Sequence, residues 1–206
     1  SQLEDVKQII LAIAREDEDK VQLNWEANLA FNGVELCRGG ACRGETVQNA
    51  LRKVSDGIDV VAIHDAARCC VRKQWVVEAL ELCEKSGAAA LASPVVSTIK
   101  SVEGNDITGT IDRSKLYEAQ TPQVFSRELI IKAYNNLEKA GKLTEITDDC
   151  SAVERIGGEI KIVPTDSSNI KITKREDLTI AEAIIKSREK TVSRQIHPFQ
   201  DEKWQL

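Results

Sequence analysis

Residues 60–96, VVAIHDAARCCVRKQWVVEALELCEKSGAAALASPVV, decide the fold class. Val60 to Ile63 is a short apolar run rich in β-branched residues, the pattern of a strand buried on both faces. Val76, Leu80 and Cys83 follow at helical spacing, and Ala89 to Val96 returns to a strand pattern. Strand, helix and strand in that order predict a βαβ unit.

The alternation continues in both directions. Val6 to Ile13 and Val34 to Cys37 read as strands before this unit, with Val47, Leu51 and Val54 on a helix face between. Leu129, Ala133 and Leu137 mark a later helix, and Ile160 to Val163 and Asn169 to Ile172 read as later strands. The expected architecture is α/β, a mainly parallel sheet with helices on both faces. Thr173-Lys174-Arg175-Glu176 has the form of a capping box and predicts a helix running through Leu178, Ala181 and Ile185 to near Glu189. Residues 97–114 break the alternation. There Gly104-Asn105-Asp106 separates Thr98-Ile99 from Ile107 to Ile111, which predicts a projecting hairpin arm suited to contact a partner. One domain over residues 1–190 is expected, followed by a loosely held tail over 191–206 that contains Pro198.

Composition narrows the function classes. With 206 residues, 42% hydrophobic and 30% charged, the chain suits a single globular domain. A formal charge of -5 opposes non-specific nucleic-acid binding but permits a small anionic ligand held by local cations. The longest apolar stretches, Ile9 to Ala14 and Ala88 to Ala92, are too short for a membrane helix of roughly 18 residues. The first residues lack the order of a secretory signal, so a cytoplasmic location is the expectation. The six cysteines contain no C-x-x-C pair and only two histidines accompany them, so reduced thiols are expected rather than a zinc site. Methionine is absent, which leads us to expect further residues before Ser1.

In parallel sheets ligands bind beyond the carboxyl ends of the strands. His64-Asp65-Ala66-Ala67-Arg68 occupies that place after Val60 to Ile63. Asp65 suits a Mg2+ ion through its hard oxygens, the alanines let a ligand approach the backbone, and the alternative is an aspartate that caps the next helix and pairs with Arg68. Arg38-Gly39-Gly40-Ala41-Cys42-Arg43 follows the Val34 strand and precedes a helix expected near Thr46. Its glycines either turn the chain or offer outward N–H groups to a phosphate. Lys171, in an apolar segment, either snorkels to solvent or meets an anion.

Taken in order, Gly39-Gly40-x-x-Arg43, His64 to Arg68, Pro94 to Lys100, Asp112-Arg113-Ser114, Gln120-Thr121-Pro122-Gln123, Thr147-Asp148 and Asn169 to Thr173 resemble the 2-C-methyl-D-erythritol 4-phosphate cytidylyltransferases. The resemblance spans Val6 to Ile185. It implies a Rossmann-like nucleotidyltransferase that joins CTP to methylerythritol phosphate in the non-mevalonate route to isoprenoids. Arg113, in the arm after Ile107 to Ile111, is expected to lie too far along the hairpin to fold back on its own site, so a homodimer that exchanges arms is expected. The family's opening strand and glycine-rich loop are expected to precede Ser1.

By the same resemblance Asp65 corresponds to the Mg2+ ligand, with Ala66 beside the nucleotide, and Lys171 to the cation at the reacting phosphates. Gly39, Gly40, Arg43 and Thr46 correspond to the CTP side, Thr46 standing where serine is common. Arg68, Thr98, Arg113, Thr121 and Thr147 correspond to contacts with methylerythritol phosphate. Asp65, Lys171 and Arg113 form the implied catalytic set, with Arg113 acting across the dimer. Two departures stand out: Cys69 where proline is usual, and Ala41 where some members carry aspartate. A ribitol-phosphate cytidylyltransferase and a non-catalytic nucleotide-binding relative are the alternatives.

Overall fold

The computed structural model describes residues 6–195, and side chains through 188. In chain order the elements are β1 (Ile9–Ile13), α1 (Glu18–Phe31), β2 (Val34–Arg38), α2 (Arg43–Leu51), β3 (Val60–Ile63), α3 (Lys73–Ser86), β4 (Ala88–Pro94), β5 (Ile99–Glu103), β6 (Asp106–Ile111), β7 (Tyr117–Ser126), α4 (Arg127–Lys139), α5 (Asp149–Glu154), β8 (Lys161–Pro164) and α6 (Arg175–Gln195). None of the described helices is long and apolar enough to cross a membrane.

The central sheet has the order β3-β7-β4-β8. β4 and β8 pair in parallel, and β7 runs antiparallel between β3 and β4, so three of these strands share one direction. β1 and β2 form a separate parallel pair. α2 joins that pair to the main body, since Val47, Leu51 and Val54 pack into the cluster beneath α4. Gln8 reinforces the join through Lys53 O at 2.9 Å and the Ser55 N–H at 3.0 Å.

β4 is buried along nearly its whole length, and its small side chains let helices approach both faces. Ala89 and Leu91 face Trp75, Ala79 and Cys83 of α3, whose spacing of four residues makes one apolar stripe. Ala88 and Ala90 face Ile130, Ala133, Tyr134 and Leu137 of α4. Fully burying each larger apolar side chain contributes about 1.5–3 kcal/mol. Gly87 ends α3 at φ 83, and its N–H donates to Cys83 O.

β5 and β6 form the expected arm, with Gly104 at φ 61 in its turn. Val102, Ile107 and Ile111 are exposed on it. Three expectations need correction. Asn169 to Ile172 is not a strand but an extended loop, bound to the sheet by side chains and by the Ile172 N–H on Ala67 O. α6 starts as expected, but Asp177, not Glu176, closes the cap by accepting from Thr173 N, Thr173 Oγ1 and Lys174 N. α6 also continues past Glu189 to Gln195, so residues 191–195 of the expected tail are helical. Residues 196–206, like residues 1–5, lie outside the described residues.

Candidate active site

Asp65 lies just beyond the carboxyl end of β3. Its Oδ2 is 3.0 Å from Lys171 Nζ and 3.5 Å from Arg68 Nε. Burial pushes the Asp65 carboxyl up, but Lys171, then Arg68 and Arg43, outweigh it and hold the pKa below the ordinary value. A permanent carboxylate between two cations is the result. Both ion pairs fall on Oδ2, which leaves Oδ1 open to a hard cation. Among the described residues no group of three or more His, Cys, Asp or Glu side chains could hold a metal. One carboxylate supplemented by substrate phosphates is nevertheless a common way to hold Mg2+.

The backbone around Asp65 is fixed by β7. The Asp65 N–H donates to Thr121 Oγ1 at 3.0 Å, and Thr121 Oγ1 lies 3.0 Å from His64 Nδ1. Thr121 Oγ1 therefore bridges the Asp65 amide and the His64 ring, the direction of the second bond following the His64 tautomer. His64 keeps an exposed edge, yet loss of water around its imidazole lowers its pKa.

The Lys171 loop is fixed by a buried polar network. Asn169 Nδ2 donates to Gln120 Oε1 at 2.9 Å and to Thr121 O at 3.1 Å. Gln120 Nε2 in turn donates to Ser93 Oγ and Asp166 O, each at 3.2 Å. The buried Arg68 completes the connection by donating to Asn169 O at 2.7 Å and Ala119 O at 3.5 Å. Arg68 is thus committed to backbone carbonyls and to Asp65. Gln120 and Asn169 were quoted within motifs without a role; the signal that could have found them is a pair of amides among residues that bury.

At β2 the glycines have a packing reason. A Cβ on Gly40 would lie 2.2 Å from Glu45 Cβ, and one on Gly39 would lie 2.9 Å from Ile13 O. Of the two alternatives for these glycines the structure favours the turn, because the three N–H groups here are used within the protein. Gly39 N–H donates to Ile13 O, Gly40 N–H to Thr46 Oγ1 and Ala41 N–H to Glu45 Oε2. α2 begins at Arg43, earlier than expected, with Cys42 as its cap. Arg43 grips Asp149, which Gln123 also fixes by accepting from the Asp149 and Cys150 N–H groups.

Arg113 is at the base of the arm, not along it, and donates to Val96 O. This removes the premise that it lies too far out on the hairpin to reach its own site. Thr98 and Thr147 are exposed, Thr147 directly before Asp148, the cap of α5. Among the described residues no hydrogen bond or ion pair links Thr98, Arg113 or Thr147 to Asp65, whereas Thr121, Arg68 and Lys171 all touch it. A concavity of about 430 Å³ between α1, β2 and α2, lined by Glu18, Cys37, Arg38 and Lys53 among others, includes none of this group.

The family model for 2-C-methyl-D-erythritol 4-phosphate cytidylyltransferase matches residues 1–187. A curated enzyme of that name from Caldanaerobacter subterraneus is 39% identical over 187 residues, covering 90% of this chain and 82% of the relative. One from Geobacillus thermodenitrificans is 40% identical over 180 residues, 87% of this chain and 78% of the relative. Crystal structures of the enzymes from Francisella tularensis and Thermus thermophilus superpose with TM-scores of 0.75 and 0.76, both at 29% identity. They cover 88% of this chain in each case, and 82% and 84% of the solved chains. The chain belongs to the 2-C-methyl-D-erythritol 4-phosphate cytidylyltransferase family.

Proposed function

We propose that this protein transfers CMP from CTP to 2-C-methyl-D-erythritol 4-phosphate, giving 4-diphosphocytidyl-2-C-methyl-D-erythritol and pyrophosphate in the non-mevalonate isoprenoid pathway. The observation that carries this reading is the Asp65 carboxylate held by Lys171 and Arg68 beyond β3, in a chain of this family.

A phosphate oxygen of the sugar phosphate attacks the α-phosphorus of CTP in line. The new P–O bond forms as the bond to the β-phosphate oxygen breaks, and pyrophosphate leaves. Catalysis of this step is positioning plus stabilisation of charge on the phosphoryl oxygens. Lys171, half exposed and oriented by Asp65, supplies a cation to those oxygens. Asp65 would hold Mg2+, which would supply neutralisation of charge on the triphosphate.

Gly39, Gly40, Thr46 and Ala66 form the CTP side, and Arg43 supports it by anchoring the start of α2 on Asp149. Thr98, Arg113, Thr121 and Thr147 form the methylerythritol-phosphate side, and Arg68, the other residue the resemblance puts there, supports it by holding Asp65 and Asn169 O. The exposed Val102, Ile107 and Ile111 of the arm support a homodimer in which arms are exchanged and Arg113 serves the partner's site. Residues 1–190 act as one domain located in the cytoplasm.

The test is turnover of CTP with methylerythritol phosphate and, separately, with ribitol 5-phosphate, following pyrophosphate release and product mass. Formation of the methylerythritol product supports the reading. Turnover of ribitol phosphate alone refutes it in favour of the other sugar, and binding of CTP without turnover of either refutes it in favour of a non-catalytic relative.

A further inference from the structure

Cys69 and Cys70 differ from the other thiols of the protein. Cys69 is exposed, whereas Cys37, Cys70, Cys83 and Cys150 are buried and Cys42 is half-buried. The pair follows Arg68 in the loop from β3 to α3. The two residues are adjacent in sequence, and burial, followed by Cys69, pushes the Cys70 thiol up. Cys70 Sγ lies 3.8 Å from Ala181 O on α6, and its carbonyl accepts from Arg188 Nη1 at 2.7 Å. An accessible thiol beside a second, sheltered thiol is the arrangement that captures an oxidant and then resolves it.

We propose that Cys69 and Cys70 form a peroxide-reactive dithiol whose oxidation lowers turnover at the Asp65 site. Hydrogen peroxide oxidises the Cys69 sulfur to a sulfenic acid and is itself reduced to water. The Cys70 sulfur then attacks the Cys69 sulfur, the S–O bond breaks, and the hydroxyl leaves with the Cys70 proton as a second water. Two thiols and one peroxide thereby give one disulfide and two waters.

The bridge draws Cys70 Sγ away from Ala181 O and shifts the loop that carries Arg68. Arg68 contacts Asp65 and also holds Asn169 O, two residues before Lys171. Displacing Arg68 therefore disturbs both ends of the Asp65–Lys171 pair. The effect on turnover rests on the functional reading above; the oxidation itself does not.

The test treats the reduced protein with hydrogen peroxide. Trypsin cuts after Arg68 and Arg72, so both sulfurs fall in one peptide, residues 69–72. The expected results are loss of two hydrogens from that peptide and a fall in turnover on the order of 10-fold or more, restored by dithiothreitol. Cys69→Ser retains basal turnover and loses the peroxide response. Cys70→Ala, with its melting temperature measured as a folding control, stops at a Cys69 sulfenic acid that dimedone traps. No disulfide in the peptide, a disulfide with unchanged turnover, or equal inactivation of Cys69→Ser each overturn the proposal. If the reduced protein shows no cytidylyl transfer, the functional reading fails instead, and the peptide mass alone judges the dithiol.

Discussion

Arg43 grips the fully buried Asp149 through both terminal nitrogens, at 3.1 and 2.5 Å, while Tyr134 donates to the same carboxylate at 2.5 Å. Burial, and then the charge of Asp149, pushes the Tyr134 phenol up and keeps its proton available for that bond. The three residues tie α2, α4 and α5 together. Arg43→Ala leaves a buried carboxylate without its cation, and we expect a loss of stability on the order of 3 kcal/mol in urea unfolding. Adding Asp149→Asn to that variant restores part of it. A loss below about 0.5 kcal/mol, the size of an ordinary surface change, shows that Arg43 does not hold the fold.

Asp65→Asn removes the hard anionic oxygen and the partner of Lys171, and Lys171→Ala removes the cation itself. Each is expected to reduce kcat on the order of 100-fold. The thermal stability of Lys171→Ala should change little, because Lys171 is half exposed, whereas Asp65→Asn also takes the anionic partner from the buried Arg68 and is checked for folding alongside. Steady-state kinetics check this, and a variant within about threefold of the parent refutes the assignment.

Asn169 is expected to act through Lys171 rather than on substrate. It is fully buried, and its amide joins the Lys171 loop to Gln120 and Thr121. Asn169→Ala leaves Gln120 Oε1 with one donor fewer and frees the loop, at a cost of about 1–3 kcal/mol in stability. The informative result is a reduced kcat with little change in KM for CTP, since the lysine is retained but misplaced. A stability loss with unchanged kcat at low temperature reduces Asn169 to a fold residue.

The contrast between β3 and β7 shows what was legible in the sequence. Val60 to Ile63 is continuous and β-branched, so its place and the site after it could be read directly. β7 carries Gln120, Thr121 and Gln123 in its buried stretch, and these look like loop residues until their partners Asn169, Asp148 and Asp149 are in place. Lys171 was misplaced on a strand for the related reason that Asn169 and Ile172 are held by side chains and single backbone bonds, not by a ladder. α1 gave no helical signal because it buries no residue, leaving Leu23 and Phe31 exposed. The arm was legible from its turn residues, but the position of Arg113 at its base was not.

His64 is expected to titrate below the ordinary value of 6.5, chiefly because burial disfavours the imidazolium, with the backbone hydrogen bond to Arg68 and the charge of Asp65 opposing the effect and the Arg68 charge adding to it. The lowered pKa fixes the sign of the linkage. The unfolded chain takes up the proton first as pH falls, so the stabilisation is complete above 6.5 and is lost as pH drops through the folded value. NMR titration of the imidazole measures the pKa, and unfolding at several pH values measures the slope. A His64 pKa above 6.5 shows that burial does not dominate at this ring.

Arm exchange makes a prediction that a monomeric site cannot meet. Arg113 sits at the base of the arm with its guanidinium turned to Val96 O, and Val102 and Ile107, paired across the arm, are both exposed. In the proposed dimer, two crossing arms would cover those apolar residues and carry each Arg113 toward the partner's Asp65. Arginine fits the task, because its planar fork grips a phosphate in a bidentate way where lysine supplies only a point charge. Arg113→Ala and Asp65→Asn chains, each inactive alone, are mixed under conditions where subunits exchange. In a mixed dimer one site then receives both defects and the other neither. Random pairing of equal amounts makes half of the dimers mixed, and half of their sites intact, so activity returns to about a quarter of the parent value. Mixing Arg113→Ala with Lys171→Ala gives the same recovery, whereas Asp65→Asn with Lys171→Ala, whose defects fall in the same subunit's half of the site, gives none. If heterodimers form and the first mixture stays inactive, Arg113 serves its own subunit.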